Sequence, residues 1–278
     1  MTDVAAALDP SFLAAIAAVP ATAWSDWFCD RTHPIDEPVA PQRTLVAAFP
    51  LPGAIGHAAI CVLETTAGAG LSALHQAAIR RWPGAAPAGA EVLHQQLGAD
   101  QAPLWTLASA WADEDLRGWL REALVAGASV RDGGWEWLAA PERSVSRRVL
   151  DERSSLVGGR RHDVVLFEPG AVAIVYRRMT RGGQPELDII RHLERVPGFG
   201  MAPNLLGSAS IRSPSGERTA SALMEDIDDG SATVRSVLVA RLRRALDGDP
   251  SLQAVALDDV RAVGVATREL HAALGRPF

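Results

Sequence analysis

The order of predicted elements between Asp163 and Glu225 limits the fold more than any other feature of this sequence. Asp163–Phe167 and Val172–Arg178 are β-like runs separated by the turn residues Glu168-Pro169-Gly170. Pro185–Val196 then has helical spacing, with Leu187, Ile190 and Leu193 on one face. Leu205–Ser213 and Arg218–Glu225 are a second pair of runs, closed by Pro214-Ser215-Gly216-Glu217. An acidic stop at 226–230 follows, and then two predicted helices, Thr233–Leu246 and Leu257–Leu274. The order β–β–α–β–β–α–α describes an antiparallel sheet with one crossing helix, not a doubly wound parallel sheet. The predicted fold class is therefore α+β.

The first half carries weaker signals. Asp9-Pro10 is a helix start, an acceptor at the N-cap followed by Pro in the first turn, and Phe12, Leu13, Ile16 and Val19 recur at helical spacing. A second short helix holds Trp24, Trp27 and Phe28. Residues 34–42 are a proline-broken connection. Arg43–Leu51 and Ile55–Thr65 are β-like runs with Pro52-Gly53 between them, which predicts a hairpin. Leu71–Trp82 and Glu91–Leu97 are predicted as helices around a Pro/Ala/Gly loop at 83–89. Asp113–Ala126 is predicted as an amphipathic helix, with Leu116, Trp119, Leu120 and Leu124 on one side. Gly133–Ala139 is a short Trp-rich strand.

Composition mainly excludes. The sequence holds no lysine, so all 27 basic residues are arginine, and Asn204 is its single asparagine. Chemistry that needs a lysine amine is closed to these residues. A net charge of −6 with scattered arginines suggests neither a nucleic-acid nor an anionic-membrane partner. No stretch approaches the roughly 18–20 uncharged apolar residues of a membrane span. The acidic, then apolar N-terminus lacks the basic opening of an export signal. Two cysteines, Cys29 and Cys61, are too few for a disulfide framework. These features together predict a cytoplasmic protein.

Several stretches of the second half carry a family likeness. Val172–Leu193 reads VAIVYRRMTRGGQPELDIIRHL, an apolar strand ending in Tyr-Arg-Arg before a Gly-x-Pro-acidic-Leu-acidic helix start. Ala202-Pro203-Asn204-Leu205-Leu206-Gly207 is a strand entry, Leu223–Gly230 stands at a hinge position, and Thr267–Leu274 reads TRELHAAL. In these stretches the chain resembles the N-terminal lobe of the maltokinase branch of aminoglycoside-phosphotransferase-like sugar kinases. Trp24-Ser25-Asp26-Trp27-Phe28 is faintly similar to the patch that opens the maltokinase cap. The resemblance implies a cap domain at 1–145, a kinase-like N-lobe at 146–230 and a helical linker at 231–278, with the catalytic C-lobe absent.

It also implies which positions would face a nucleotide. The strand lysine that neutralises the α/β-phosphates corresponds to Ile174, with Arg177 and Arg178 nearby. Asp188 or Glu186 matches the helix acid, and Glu225 and Ile227 match the hinge. A guanidinium in another register does not simply replace an ammonium. An acid at a helix start is also an ordinary dipole residue, the reading we favour for Glu186 and Asp188. No histidine is followed two residues later by aspartate, so the family's His-x-Asp-x-x-x-x-Asn is missing from this sequence. The expectation is a non-catalytic or pseudokinase binding or regulatory protein that needs no cofactor by itself. The alternative is one part of an ATP-dependent sugar kinase, phosphorylating maltose or glucosamine, completed by a C-lobe on another chain. ATP and Mg²⁺ would then be its cofactors. Either way, 233–274 is the segment expected to meet a second copy or a C-lobe-bearing partner.

Gly68-Ala69-Gly70-Leu71-Ser72-Ala73 fits a Gly-x-Gly-x-x-Ala dinucleotide turn before a predicted helix, but no acidic residue closes a second strand about 20 positions on. The seven histidines show no metal-ligand spacing. His75 reads as a half-buried polar residue. All eight tryptophans precede residue 140, a distribution that suits core packing, with sugar stacking by Trp135 or Trp137 the sharper reading.

Overall fold

The computed structural model describes residues 7–28, 42–52, 56–66, 72–142, 153–158, 162–168, 170–182, 184–199, 203–227 and 250–275. The chain divides into two units, Met1–Gln184 with Leu205–Glu225, and Pro185–Asn204 with Asp226–Phe278. Among the described residues the fold is mixed α+β, with two antiparallel sheets.

The first unit opens with α1 (Pro10–Ala17) and α2 (Ala21–Phe28). Asp9 caps α1 by accepting the Ser11 N–H at 2.7 Å, as the Asp-Pro start predicts. The first sheet follows: β1 (Gln42–Pro50), β2 (Ala58–Thr66), β3 (Ser72–Pro83), β4 (Val92–Leu97) and β5 (Pro103–Ser109). Its order is β1-β2-β3-β5-β4. One face is covered by the helices, where Phe12, Ile16, Trp24 and Trp27 pack on Cys61, Ala77, Ile79 and Leu107. Burial pushes the Cys61 thiol up to about 12, which makes it inert at neutral pH.

Two predicted helices are strands. Leu71–Trp82 falls on β3, where residues 74–79 are buried on both faces. Burial on both faces removes the polar–apolar alternation of a one-sided strand, and alanine content misleads. Glu91–Leu97 falls on the edge strand β4, where pairing with β5 and a Gln95–Thr106 side-chain bond at 3.2 Å override a modest helix propensity. The dinucleotide turn fails for the same reason. Residues 67–71 lie outside the described residues, but Thr66 and Ser72 pair across an antiparallel hairpin, not a strand-to-helix turn.

The helix α3 (Glu114–Ala126) forms as predicted, capped by Asp113, whose Oδ1 accepts the Asp115 N–H at 2.9 Å. The second sheet contains β6 (Ala128–Asp132), β7 (Trp135–Pro141), β8 (Ser154–Gly158), β9 (His162–Phe167), β10 (Ala171–Tyr176), β12 (Leu205–Arg212) and β13 (Arg218–Asp226). Its order is β6-β7-β12-β13-β10-β9-β8. The four predicted runs of 163–225 thus share one sheet, and the predicted Trp-rich strand joins it as half of the β6–β7 hairpin. That hairpin turns on Gly133 and Gly134, both at positive φ, which a two-residue turn of the right twist requires. A two-residue strand, β11 (Arg178–Met179), follows β10 and pairs with His75 and Leu74 of β3.

Gly207 of the Leu-Leu-Gly entry has a packing role. A Cβ added there would lie 2.1 Å from the Leu124 carbonyl oxygen, because the end of α3 rests directly on β12. Between the sheets, Gln76 and Ser221 exchange two hydrogen bonds: Gln76 Nε2 donates to the Ser221 carbonyl at 2.6 Å, and Ser221 Oγ donates to Gln76 Oε1 at 2.7 Å.

The second unit pairs α4 (Pro185–Arg195) with α5 (Pro250–Leu274). Leu193, Val196 and Phe199 pack on Leu270, Ala273 and Leu274. The predicted helix 233–246 lies outside the described residues. Among the described residues no helix is long and apolar enough to cross a membrane.

Candidate functional site

The strand β10 ends at the junction of the two sheets, where the kinase resemblance puts its phosphate-binding strand. Ile174 sits on β10 opposite Val164 and is half-buried. Three residues on, Arg177 turns inward and is only 5% exposed. Its Nε and Nη2 donate to Asp163 Oδ1 at 3.0 and 2.7 Å. Nη1 donates to the Trp27 carbonyl and to Glu91 Oε1, both at 3.1 Å, and Nη2 also meets Glu91 Oε2. The guanidinium lies 5.1 Å from the Trp27 ring centre, and the Arg177 carbonyl accepts the Gln76 N–H at 2.9 Å.

One cation is thus shared by two carboxylates, Asp163 of β9 and Glu91 just before β4. Burial lowers the Arg177 pKa, but the Glu91 bond and the Asp163 charge outweigh it and leave the group raised. Burial also raises the Asp163 carboxyl, Arg177 offsets that only in part, and the negative charge of Glu91 adds to the rise. The arrangement can hold β9, β10, β4 and α2 together. It leaves the Arg177 charge enclosed.

Asp188 lies exposed in the first turn of α4, and Glu225 and Ile227 are half-buried at the end of β13. The neighbouring Asp226 takes both the backbone N–H and the side-chain amide of Asn204, the first at 2.5 Å. The sequence reading missed Asp163 and Glu91. Asp163 had a signal: in His162–Phe167 the inward positions are 163, 165 and 167, so an aspartate stands where Val165 and Phe167 are core. An acid at an inward strand position requires a buried partner, and Arg177 is that partner. Glu91 had no such signal.

Among the described residues no group of three His, Cys, Asp or Glu is placed to hold a metal ion. His75, on β3 and not on a helix, bonds Thr65 Oγ1 through Nδ1 at 3.0 Å and lies 4.8 Å from the Phe28 ring. Burial, with the Arg43 and Arg178 charges, pushes its imidazole from 6.5 to about 4.

The class these elements define is a mixed α+β protein with two antiparallel sheets. Neither a protein-family model nor a curated protein matches the sequence. Its structure is similar to solved structures of glucosamine kinase. One, in complex with glucosamine, ADP and inorganic phosphate, is 16% identical over 92% of this chain, with a TM-score of 0.46. Crystal forms B and A are 18% and 17% identical over 90% and 99% of this chain, with TM-scores of 0.48 and 0.49. The chain spans about half the length of these kinases, 51–53%.

Proposed function

We propose that this chain is the cap and N-lobe portion of a sugar kinase of the maltokinase and aminoglycoside-phosphotransferase-like kind, working in the cytoplasm. By itself it acts as a non-catalytic binding or regulatory module. The observation that carries the non-catalytic part is the commitment of Arg177. The lysine position is taken by Ile174, and the nearest inward cation is already neutralised by Asp163 and Glu91. A phosphate brought there would compete with two carboxylates for one enclosed guanidinium, so these residues do not fit a nucleotide phosphate.

The test mixes the purified chain with ATP, Mg²⁺ and either maltose or glucosamine, and follows sugar phosphate and ADP. The expected result is no turnover above a blank and no heat of ADP binding in calorimetry. Turnover that survives repurification would overturn the reading.

The second reading, a kinase part completed by a C-lobe on another chain with ATP and Mg²⁺, draws on α5. Val255, Leu257, Val260, Val263 and Val265 are all exposed there, more apolar side chains than a solvated helix needs. It predicts that turnover appears only when a C-lobe-bearing chain is added.

A further inference from the structure

A row of four charged residues, Arg131, Glu136, Arg212 and Arg218, crosses the second sheet at its hairpin end. Arg131, Glu136 and Arg212 are direct cross-strand partners on β6, β7 and β12, so their side chains share one face. Glu136 is 8% exposed and orders the row. Its Oε1 accepts from Ser129 Oγ at 2.8 Å and from Arg131 Nε and Nη2 at 3.1 and 3.0 Å. Its Oε2 accepts from Arg212 Nη2 at 2.7 Å. One buried carboxylate therefore orients two guanidinium groups that are partly open to solvent.

Each guanidinium carries five N–H donors, and one carboxylate cannot engage ten. Arg212 Nε is buried yet has no hydrogen-bond partner among the described residues, which is a costly state for a charged donor. Along this row three positive charges, Arg131, Arg212 and the exposed Arg218 of β13, stand against one negative, Glu136. The other acid lining the cleft, Asp132, lies on the opposite face of β6 with its cross-strand partner Trp135, and its Oδ2 accepts the Ala48 N–H at 2.8 Å. The row opens into a cleft of about 400 Å³ that Ser213 and the half-buried Trp135 also line. That volume exceeds what an isolated oxyanion fills and lies within the range of small-molecule sites. Trp137, in contrast, is 1% exposed and its indole N–H donates to Ser221 Oγ, so it is core.

We propose that this cleft binds a small organic phosphate ester, its oxyanion held by Arg131 and Arg212 and its organic part in the rest of the cleft beside Pro214. Planar guanidinium forks match phosphate oxygens two at a time, and Glu136 holds both forks before the ligand arrives. The site is separate from the Ile174–Arg177 strand end and does not rest on the kinase reading.

The test is calorimetric titration of the full chain with glucose 6-phosphate, inorganic phosphate and glucose. Glucose 6-phosphate is expected to bind with a dissociation constant on the order of 1 mM, weaken as salt is added, and exceed inorganic phosphate in affinity. Arg131→Gln, at a side chain 76% exposed, and Arg212→Gln should each weaken it by about tenfold, one charge-assisted hydrogen bond. Equal affinity for ester and inorganic phosphate would overturn the ester and leave an oxyanion site alone. Glucose binding as well as the ester, binding that Arg131→Gln leaves unchanged, or no binding of either phosphate would overturn the proposal entirely. Since Arg131 is a solvent-facing side chain, its variant keeps the test valid should Arg212→Gln fold poorly. The titration contains no nucleotide, so its failure is distinct from failure of the phosphotransfer test.

Discussion

The two ion clusters of this molecule have opposite stoichiometry. At the sheet junction one guanidinium, Arg177, serves two carboxylates, Asp163 and Glu91. At the hairpin end one carboxylate, Glu136, serves two guanidiniums, Arg131 and Arg212. Donor arithmetic separates their roles. Arg177 spends its donors on Asp163, Glu91 and the Trp27 carbonyl and sits closed under α2. The Glu136 row has acceptors for only part of its donors and stays open to a cleft. Surplus acceptors around an enclosed cation make a structural clamp, whereas surplus donors around a buried anion make a surface ready for an anion.

The sharpest way to break this contrast is Arg177→Met. Removing one member of an enclosed cluster leaves Asp163 buried without its cation, and such truncations cost about 3–5 kcal/mol. Urea denaturation of the variant at neutral pH is expected to show a loss of that size. Adding Asp163→Asn to Arg177→Met is expected to recover a large part of it, because the stranded charge is then gone. A loss below about 1 kcal/mol, as surface pairs give, would mean that the junction is solvated and the contrast false.

What could be read from the sequence depends on period and punctuation. The Asp9 cap, α3 and β9 were legible because each has one wet face, whereas β10, β12 and β13, buried on both faces, were legible from the turn residues that bound them. β3 was not, since Leu74, Gln76 and Ala78 on one side and His75, Ala77 and Ile79 on the other are all buried. The Arg177 cluster escaped for a different reason. Its members lie at 27, 91, 163 and 177, and only the tertiary fold brings them together. Local pattern placed Ile174 within a strand, as observed, and Arg177 near its end, but pattern does not state which way a guanidinium turns.

The enclosed side should also show itself in titration. His75 stands on β3 beside Phe28 of α2, with Arg43 and Arg178 raising the local positive potential. Its folded pKa is about 4 against an ordinary 6.5, so between these values the unfolded chain binds a proton that the folded chain refuses. Stability then rises with pH across that window and is lost as pH falls from 6.5 toward 4. The expected effect is up to about 3 kcal/mol, and His75→Gln should flatten the slope. Carboxylates contribute in the lower part of the window, so the difference between parent and variant at pH 5 and 7 is the measurement. A variant with the parent's slope would show that His75 protonates freely and that this part of the first sheet is wet.

The open cluster supplies the smallest effect and the finest test of the comparison. The Ser129 hydroxyl bond, then the Arg131 bond and the Arg212 and Arg131 charges, hold the Glu136 carboxyl below its ordinary value, against a desolvation that raises it. Its stabilising contribution is therefore complete above the ordinary carboxylate range and fades as pH falls through the lowered pKa. Glu136→Gln keeps the shape and some of the hydrogen bonds but removes the charge that orients both arginines. Because Arg131 and Arg212 reach water and can rehydrate, the loss should be about 1–2 kcal/mol, well under that of Arg177→Met. Its larger consequence lies in order and not in stability: without the carboxylate the two forks repel and swing apart. Glucose 6-phosphate affinity should therefore fall in Glu136→Gln even though one negative charge has been removed from the cleft. Simple electrostatics predicts the reverse, a gain from deleting an anion beside an anion site. Tighter binding in Glu136→Gln would show that the carboxylate only competes with the ligand, and the two clusters would then differ in exposure alone.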